Sequence, residues 1–120
     1  MGKGAAKFIG KWEIVEMEQW DKDYIDLEET GFIQIRNKGT GEFRFGCVYG
    51  GIHWVVEENG RDGKIGFTWD GNDEMDPVTG RGWLIQKEKD GLFGKIFIHN
   101  GDDSWLKCKR FGKVAKKSRK

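Results

Sequence analysis

Apolar and polar residues alternate in short runs along this chain, and nearly every run ends at Gly, Asn or Asp. A period of two puts successive side chains on opposite faces of a strand. The first run covers residues 8 to about 18. Gly10, Trp12, Ile14, Glu16 and Glu18 share one of its faces, and Lys11, Glu13, Val15 and Met17 share the other. Further runs lie at 31–36, 42–49, 52–57, 64–70, 82 to about 87, 92–99 and 104–111. Their connections have hairpin chemistry. Asn37-Lys38-Gly39-Thr40-Gly41 reads as one turn and Gly50-Gly51 as another, while 71–81 reads as a longer loop. Residues 20–27 break the alternation, because Trp20, Tyr24 and Leu27 stand at i, i+4 and i+7, a spacing that predicts about two helical turns. The pattern as a whole predicts an all-β fold. It is a single small up-and-down antiparallel β-barrel of about eight strands with one short helical turn after the first, a layout in which closure removes exposed edges.

Composition agrees with one domain and adds detail. The 120 residues include 19 Gly and 1 Pro, which favours tight turns over long helices. Six Trp and eight Phe make a heavy aromatic load, enough to pack a small barrel. Expected boundaries are a flexible N-terminus at 1–7, a barrel at 8–111 and a disordered basic tail at 112–120. The formal charge of +1 hides a segregation. Five of the 21 basic residues lie after Phe111, leaving 16 against 20 acidic ones, so the body sits near −4. Such a tail can hold phosphate-rich polymers weakly or simply aid solubility. No apolar stretch approaches the length of a membrane helix, and the N-terminus lacks the apolar segment of a signal peptide. Met1-Gly2 does not continue as a myristoylation signal, since Ala6 stands where Ser or Thr is needed. Cys47 and Cys108 fall in runs that a meander keeps apart, so free thiols and a cytoplasmic location are expected.

Two patterns at opposite ends carry a resemblance. Gly10-Lys11-Trp12 opens the first run, and Trp105-Leu106-Lys107-Cys108-Lys109-Arg110 closes the last. Together with the eight-run layout, these ends resemble the calycins, the barrel superfamily of lipocalins and fatty-acid-binding proteins. The resemblance implies that Gly10 and Trp12 form the Gly-x-Trp motif, with Trp12 plugging one end of the barrel. It also implies that Arg110 packs over the indole. The segment 20–27 is too short for the helix pair of fatty-acid-binding proteins, so no fatty-acid portal is implied. Segments 20–27, 69–76, 80–83 and 101–104 resemble a family of small uncharacterised prokaryotic proteins, which implies kinship and no chemistry.

Catalytic and metal-binding patterns are weak. Asp70, Asn72, Asp73, Glu74 and Asp76 form the densest oxygen cluster. An EF-hand is excluded, because its sixth position is Met75 and its twelfth is Arg81. His53 and His99 lie at no metal-ligand spacing. Ser104 and Ser118 stand in no nucleophile elbow, and no phosphate loop or dinucleotide fingerprint appears. No catalytic residue, metal or other cofactor is therefore assigned, and a non-enzymatic protein is expected. If Trp12 points inward, strict alternation carries Glu16 inward as well. Arg44 is its expected partner, either to orient a ligand or as a structural ion pair.

Two functions follow. The first is a binding module that holds a small apolar or amphipathic ligand inside the barrel, with Glu16, Arg44, Trp54, Trp69, Trp83 and His99 as ligand-binding residues. The second is an interaction protein with a filled barrel, binding a protein or nucleic-acid partner through its surface and its basic C-terminal tail. Phe43-Arg44-Phe45 and the Trp105–Arg110 run have the basic-aromatic look of a base-stacking surface. The net acidic body opposes that reading, and so many aromatics are expected to make the core.

Overall fold

The expected turn at residues 37–41 forms around two left-handed residues, Lys38 (φ 65°) and Gly39 (φ 77°). It belongs to a computed structural model that describes residues 6–57 and 63–112. Among those residues, eight strands run in chain order: β1 (Gly10–Met17), β2 (Phe32–Arg36), β3 (Thr40–Phe45), β4 (Val48–Glu57), β5 (Lys64–Asp73), β6 (Asp76–Glu88), β7 (Gly91–Ile98) and β8 (Asp103–Arg110). Each pairs with the next, and β1 pairs with β8, so the sheet is a closed antiparallel barrel. One helical turn, α1 (Lys22–Ile25), follows β1. No helix among the described residues is long and apolar enough to cross a membrane. Residues 1–5 and 113–120, on which the expectations of a flexible start and a disordered tail largely fall, lie outside the described residues.

Three local readings are corrected. The turn expected at Gly50-Gly51 falls instead at Gly46-Cys47, where Gly46 has φ 59° and lies under the Tyr24 ring. Gly50 is a buried position inside β4, so it acts in packing and not as punctuation. The expected loop at 71–81 is hairpin, with Gly71 opposite Val78 and Asp73 opposite Asp76. Pro77 is tolerated because β7 joins β6 only from Gly80 onward, leaving that end of the strand as an edge. The two expected helical turns are one. Asp21 caps α1 by accepting from the Tyr24 N–H (3.1 Å), and Asp26 ends it by accepting from the Gly31 N–H (2.8 Å). Ile25 becomes the buried side chain of this segment, while Leu27 is exposed.

The barrel is filled by its own side chains. Trp12, Ile14, Ile33, Ile35, Phe43, Phe45, Ile65, Leu84, Leu92, Ile96 and Leu106 belong to one buried cluster. Phe43 lies 4.9 Å from Trp69 in an edge-on contact and 5.9 Å from Phe45, which in turn meets Trp20 at 4.9 Å. Inward glycines make room for the rings. A Cβ on Gly50 would lie 2.6 Å from the Phe43 ring, and one on Gly82 would lie 2.5 Å from the Phe67 ring. Each end has its own cover. Phe8 is fully buried near Trp12, whose Nε1 donates to the Phe8 carbonyl (2.9 Å). At the other end Trp20, Tyr24 and Ile25 pack onto the cluster.

Candidate functional site

The residues singled out from the sequence do not converge. Glu16 is on the outer wall. A β-bulge between Ile14 and Glu16 adds one residue to β1 against β8, so Met17 turns inward and Glu16 turns out. Its side chain is 57% exposed and faces the Lys107 ammonium at 3.6 Å. Arg44 is also outward. It pairs with Glu29 (3.3 Å) and lies 5.7 Å from the Tyr49 ring, so the expected Glu16–Arg44 pair does not form. Trp83 and His99 are outward too, at the rims of shallow depressions. Only Trp54 and Trp69 point inward. The Trp54 Nε1 donates to the carbonyls of Arg36 (3.0 Å) and Thr40 (2.9 Å), tying the β2–β3 turn to β4. Trp69 is buried over Gly80, and its Nε1 has no hydrogen-bond partner.

Gly10, Trp12 and Arg110 come together at one end. The Arg110 guanidinium stacks 3.9 Å above the Trp12 ring and donates to the carbonyls of Ile9 (2.9 Å) and Lys7 (3.2 Å). A Cβ at residue 10 would lie 2.6 Å from Arg110 Nη1, and Gly10 has φ 129°, so glycine is required there.

The feature that the sequence showed only in part, through the Trp105–Arg110 run, is the outer wall of β5–β8. Alternation puts Trp83, Phe93, Phe97 and Trp105 outward there, each half-buried. The register sets a cation opposite each ring. Lys95 stands between Trp83 and Trp105, Arg81 faces Phe97, and Lys107 faces Phe93. Rings on adjacent strands form a file, with Trp83–Phe93 and Phe93–Trp105 centroids both 6.1 Å apart. Cations lie over these rings: Arg81 over Phe97 at 4.1 Å, Lys64 over Trp83 at 5.1 Å, Lys95 over Phe97 at 5.2 Å, Lys107 over Trp105 at 5.5 Å and Lys87 over Phe93 at 5.9 Å. Lys64 and Lys107 also meet carboxylates, Glu57 at 3.7 Å and Glu16 at 3.6 Å. Among the described residues, Arg81, Lys87 and Lys95 have no carboxylate at ion-pair distance. Three open depressions of about 410, 440 and 320 Å³ border this wall. Glu88 and Asp90 line the first and Glu57 the second, so acidic groups rim the basic band. The signal was present as Trp105 and Lys107 at i, i+2, and as the Lys95-Phe97 and Arg81-Trp83 pairs at the same spacing. By contrast, Phe43 and Phe45 are buried in the barrel.

Elsewhere the charges are structural. Burial pulls the Lys22 ammonium down, but its bonds to Asp26 and Glu13 outweigh that and hold it above the ordinary lysine value. Burial pushes the Asp26 carboxyl up, yet the Gly31 N–H and Lys22 outweigh it and hold it below the ordinary value. Burial also raises the Cys108 thiol far above its ordinary value, and both cysteines are free. Ser104 is fully buried, and its hydroxyl accepts from the Gln19 N–H (3.2 Å). No group of three or more His, Cys, Asp or Glu among the described residues is placed to hold a metal ion. No protein-family model, curated protein or solved structure matches the chain.

Proposed function

We propose that this chain is a non-enzymatic interaction module, a calycin-like barrel filled by its own core, which holds an anionic partner on the outer wall of β5–β8. One observation carries the reading: rings and cations alternate across that wall, and Arg81, Lys87 and Lys95 lack carboxylate partners among the described residues. Lys22, Arg36 and Arg44, on α1, β2 and β3, pair with carboxylates instead, as does Lys109 on the β1 side of β8. A net acidic body therefore presents a basic band on this wall, and that local field governs encounter with a polyanion. A ligand in the lumen is the less supported reading, because it would have to displace the rings packed over Gly50 and Gly82. The stacked Trp12–Arg110 end supports the calycin kinship. Two free thiols suit a reducing, cytoplasmic setting.

Heparin-affinity chromatography of the full chain tests this reading. Wild type is expected to be retained and to elute in salt, and the Arg81→Ala/Lys87→Ala/Lys95→Ala variant is expected to elute at clearly lower salt. Equal elution of the two would remove the wall from consideration.

A further inference from the structure

Resting on the reading of β5–β8 as an anion-holding wall, we infer that its partner is a single-stranded nucleic acid, with bases stacked on Trp83, Phe93 and Trp105 and phosphates held by the interleaved cations. Charge alone would attract any polyanion. The rings narrow the choice. Three of them stand in file on three neighbouring strands, 6.1 Å apart by centroid, and each keeps an exposed part. A file of flat rings at the spacing of adjacent strands offers successive platforms to successive bases. Stacking of this kind tolerates any base, since every base has a π-face. A duplex hides its base faces and gains nothing from the rings. An acidic protein segment would neutralise the cations but bring few planar groups to stack.

The cations are arranged to make the exchange easy. Lys64, Lys87 and Lys107 rest over the rings of Trp83, Phe93 and Trp105 at 5.1–5.9 Å, shielding them from water. An arriving base takes the place of the ammonium over the ring, and the long flexible side chain swings to the neighbouring phosphate. Arg81 and Lys95 flank Phe97, where a fourth platform continues the path toward the depression lined by Thr68, Thr79 and His99. The carboxylates of Glu57 and Glu16 hold Lys64 and Lys107 only at 3.7 and 3.6 Å, long for ion pairs between half-exposed groups, so phosphate replaces them at little cost.

Fluorescence anisotropy with a labelled oligothymidylate of about 12 nucleotides, inside the range that small barrels cover, tests the inference on the full chain. Binding is expected to weaken with salt, with a slope that falls by about 1.4 in the Lys87→Ala/Lys95→Ala variant, two phosphate contacts at about 0.7 each. Phe93→Leu keeps an apolar side chain on the wall, and thermal unfolding checks that it folds. It is expected to weaken the oligonucleotide about 5-fold or more while leaving heparin elution unchanged. An unlabelled duplex of equal length is expected to compete poorly. Retention on heparin without oligonucleotide binding overturns the nucleic-acid assignment and leaves the interaction reading standing. Loss of both overturns both. Equal competition by duplex, or no loss in either variant, also overturns it, assigning the binding to charge alone or to residues outside the wall.

Discussion

Gly50→Ala distinguishes a filled barrel from a hollow one by the sign of its effect. Gly50 is a buried position within β4, opposite Phe43 on β3 and Gly71 on β5. Its backbone is not left-handed, so alanine brings no conformational strain. In a hollow barrel the new methyl would meet empty space, and the loss of glycine's freedom in the unfolded chain would stabilise the fold by about 0.4–1 kcal/mol. In this barrel the Cβ would meet Phe43 at 2.6 and 2.7 Å and Trp69 at 2.7 Å. Those are ring atoms of two side chains that pack against each other at 4.9 Å, so neither ring can retreat without moving the other. Overpacking of this kind costs about 1–3 kcal/mol. At about 4 °C per kcal/mol for a domain this size, the melting midpoint is expected to fall by about 4–12 °C. Circular dichroism during thermal unfolding reads the shift. Phe43→Leu in the same background removes the ring edge and is expected to restore part of the loss. An unchanged or higher midpoint for Gly50→Ala would refute the packed lumen, and with it the argument that function must lie on the outer wall.

Other expectations follow from single groups. Arg110→Ala removes the cation over Trp12 and two bonds to carbonyls, an expected loss of about 2–4 kcal/mol in urea unfolding, and Arg110→Lys is expected to recover only a minor part because an ammonium cannot bridge both carbonyls while stacking. Asp26 sits below its ordinary pKa, so its contribution is complete above the unfolded value near 3.8 and is lost as pH falls through the lower folded value; Asp26→Ala should therefore differ from wild type at neutral pH and converge with it in acid. Lys22 is raised above 10.5, so its contribution holds up to that value and disappears as pH rises through the folded one, which a Lys22→Ala melt series at alkaline pH reads. With a thiol-reactive disulfide reagent, Cys47 is expected to label slowly in the folded protein and faster as pH rises, while Cys108 labels only as the protein unfolds.

Strand count, order and closure were legible in the sequence because a half-buried strand writes its period directly into the residue types. Legibility ended where one residue serves two purposes. Glycine marks a turn at Gly46 but makes room for a ring at Gly50, and only the partner strand tells the two apart. Register was the second limit. Continuing the alternation from Trp12 carries Glu16 inward, yet one extra residue at the bulge reverses the parity for the rest of β1. No local signal in Ile14-Val15-Glu16 announces that insertion. Arg110 over Trp12 was accessible only through resemblance, since the two lie at opposite ends of the chain and meet through closure.

The aromatic residues show why the site was the harder part. Period-two alternation sorts side chains into two faces but does not say which face is inside when both carry rings. Phe43, Phe45, Phe67 and Trp69 became core because glycines and aliphatic residues on neighbouring strands left space for them. Trp83, Phe93 and Trp105 lie on the opposite parity of β6, β7 and β8, where Gly82, Leu84, Leu92, Gly94, Ser104 and Leu106 take the inward positions. The inward positions are already taken by the buried cluster. The surplus must face out, and a lysine or arginine beside each ring keeps that wall soluble. The same cations and half-exposed rings let anion attraction and stacking coincide on that wall, and for that reason the Phe93→Leu and Lys87→Ala/Lys95→Ala variants separate the two contributions.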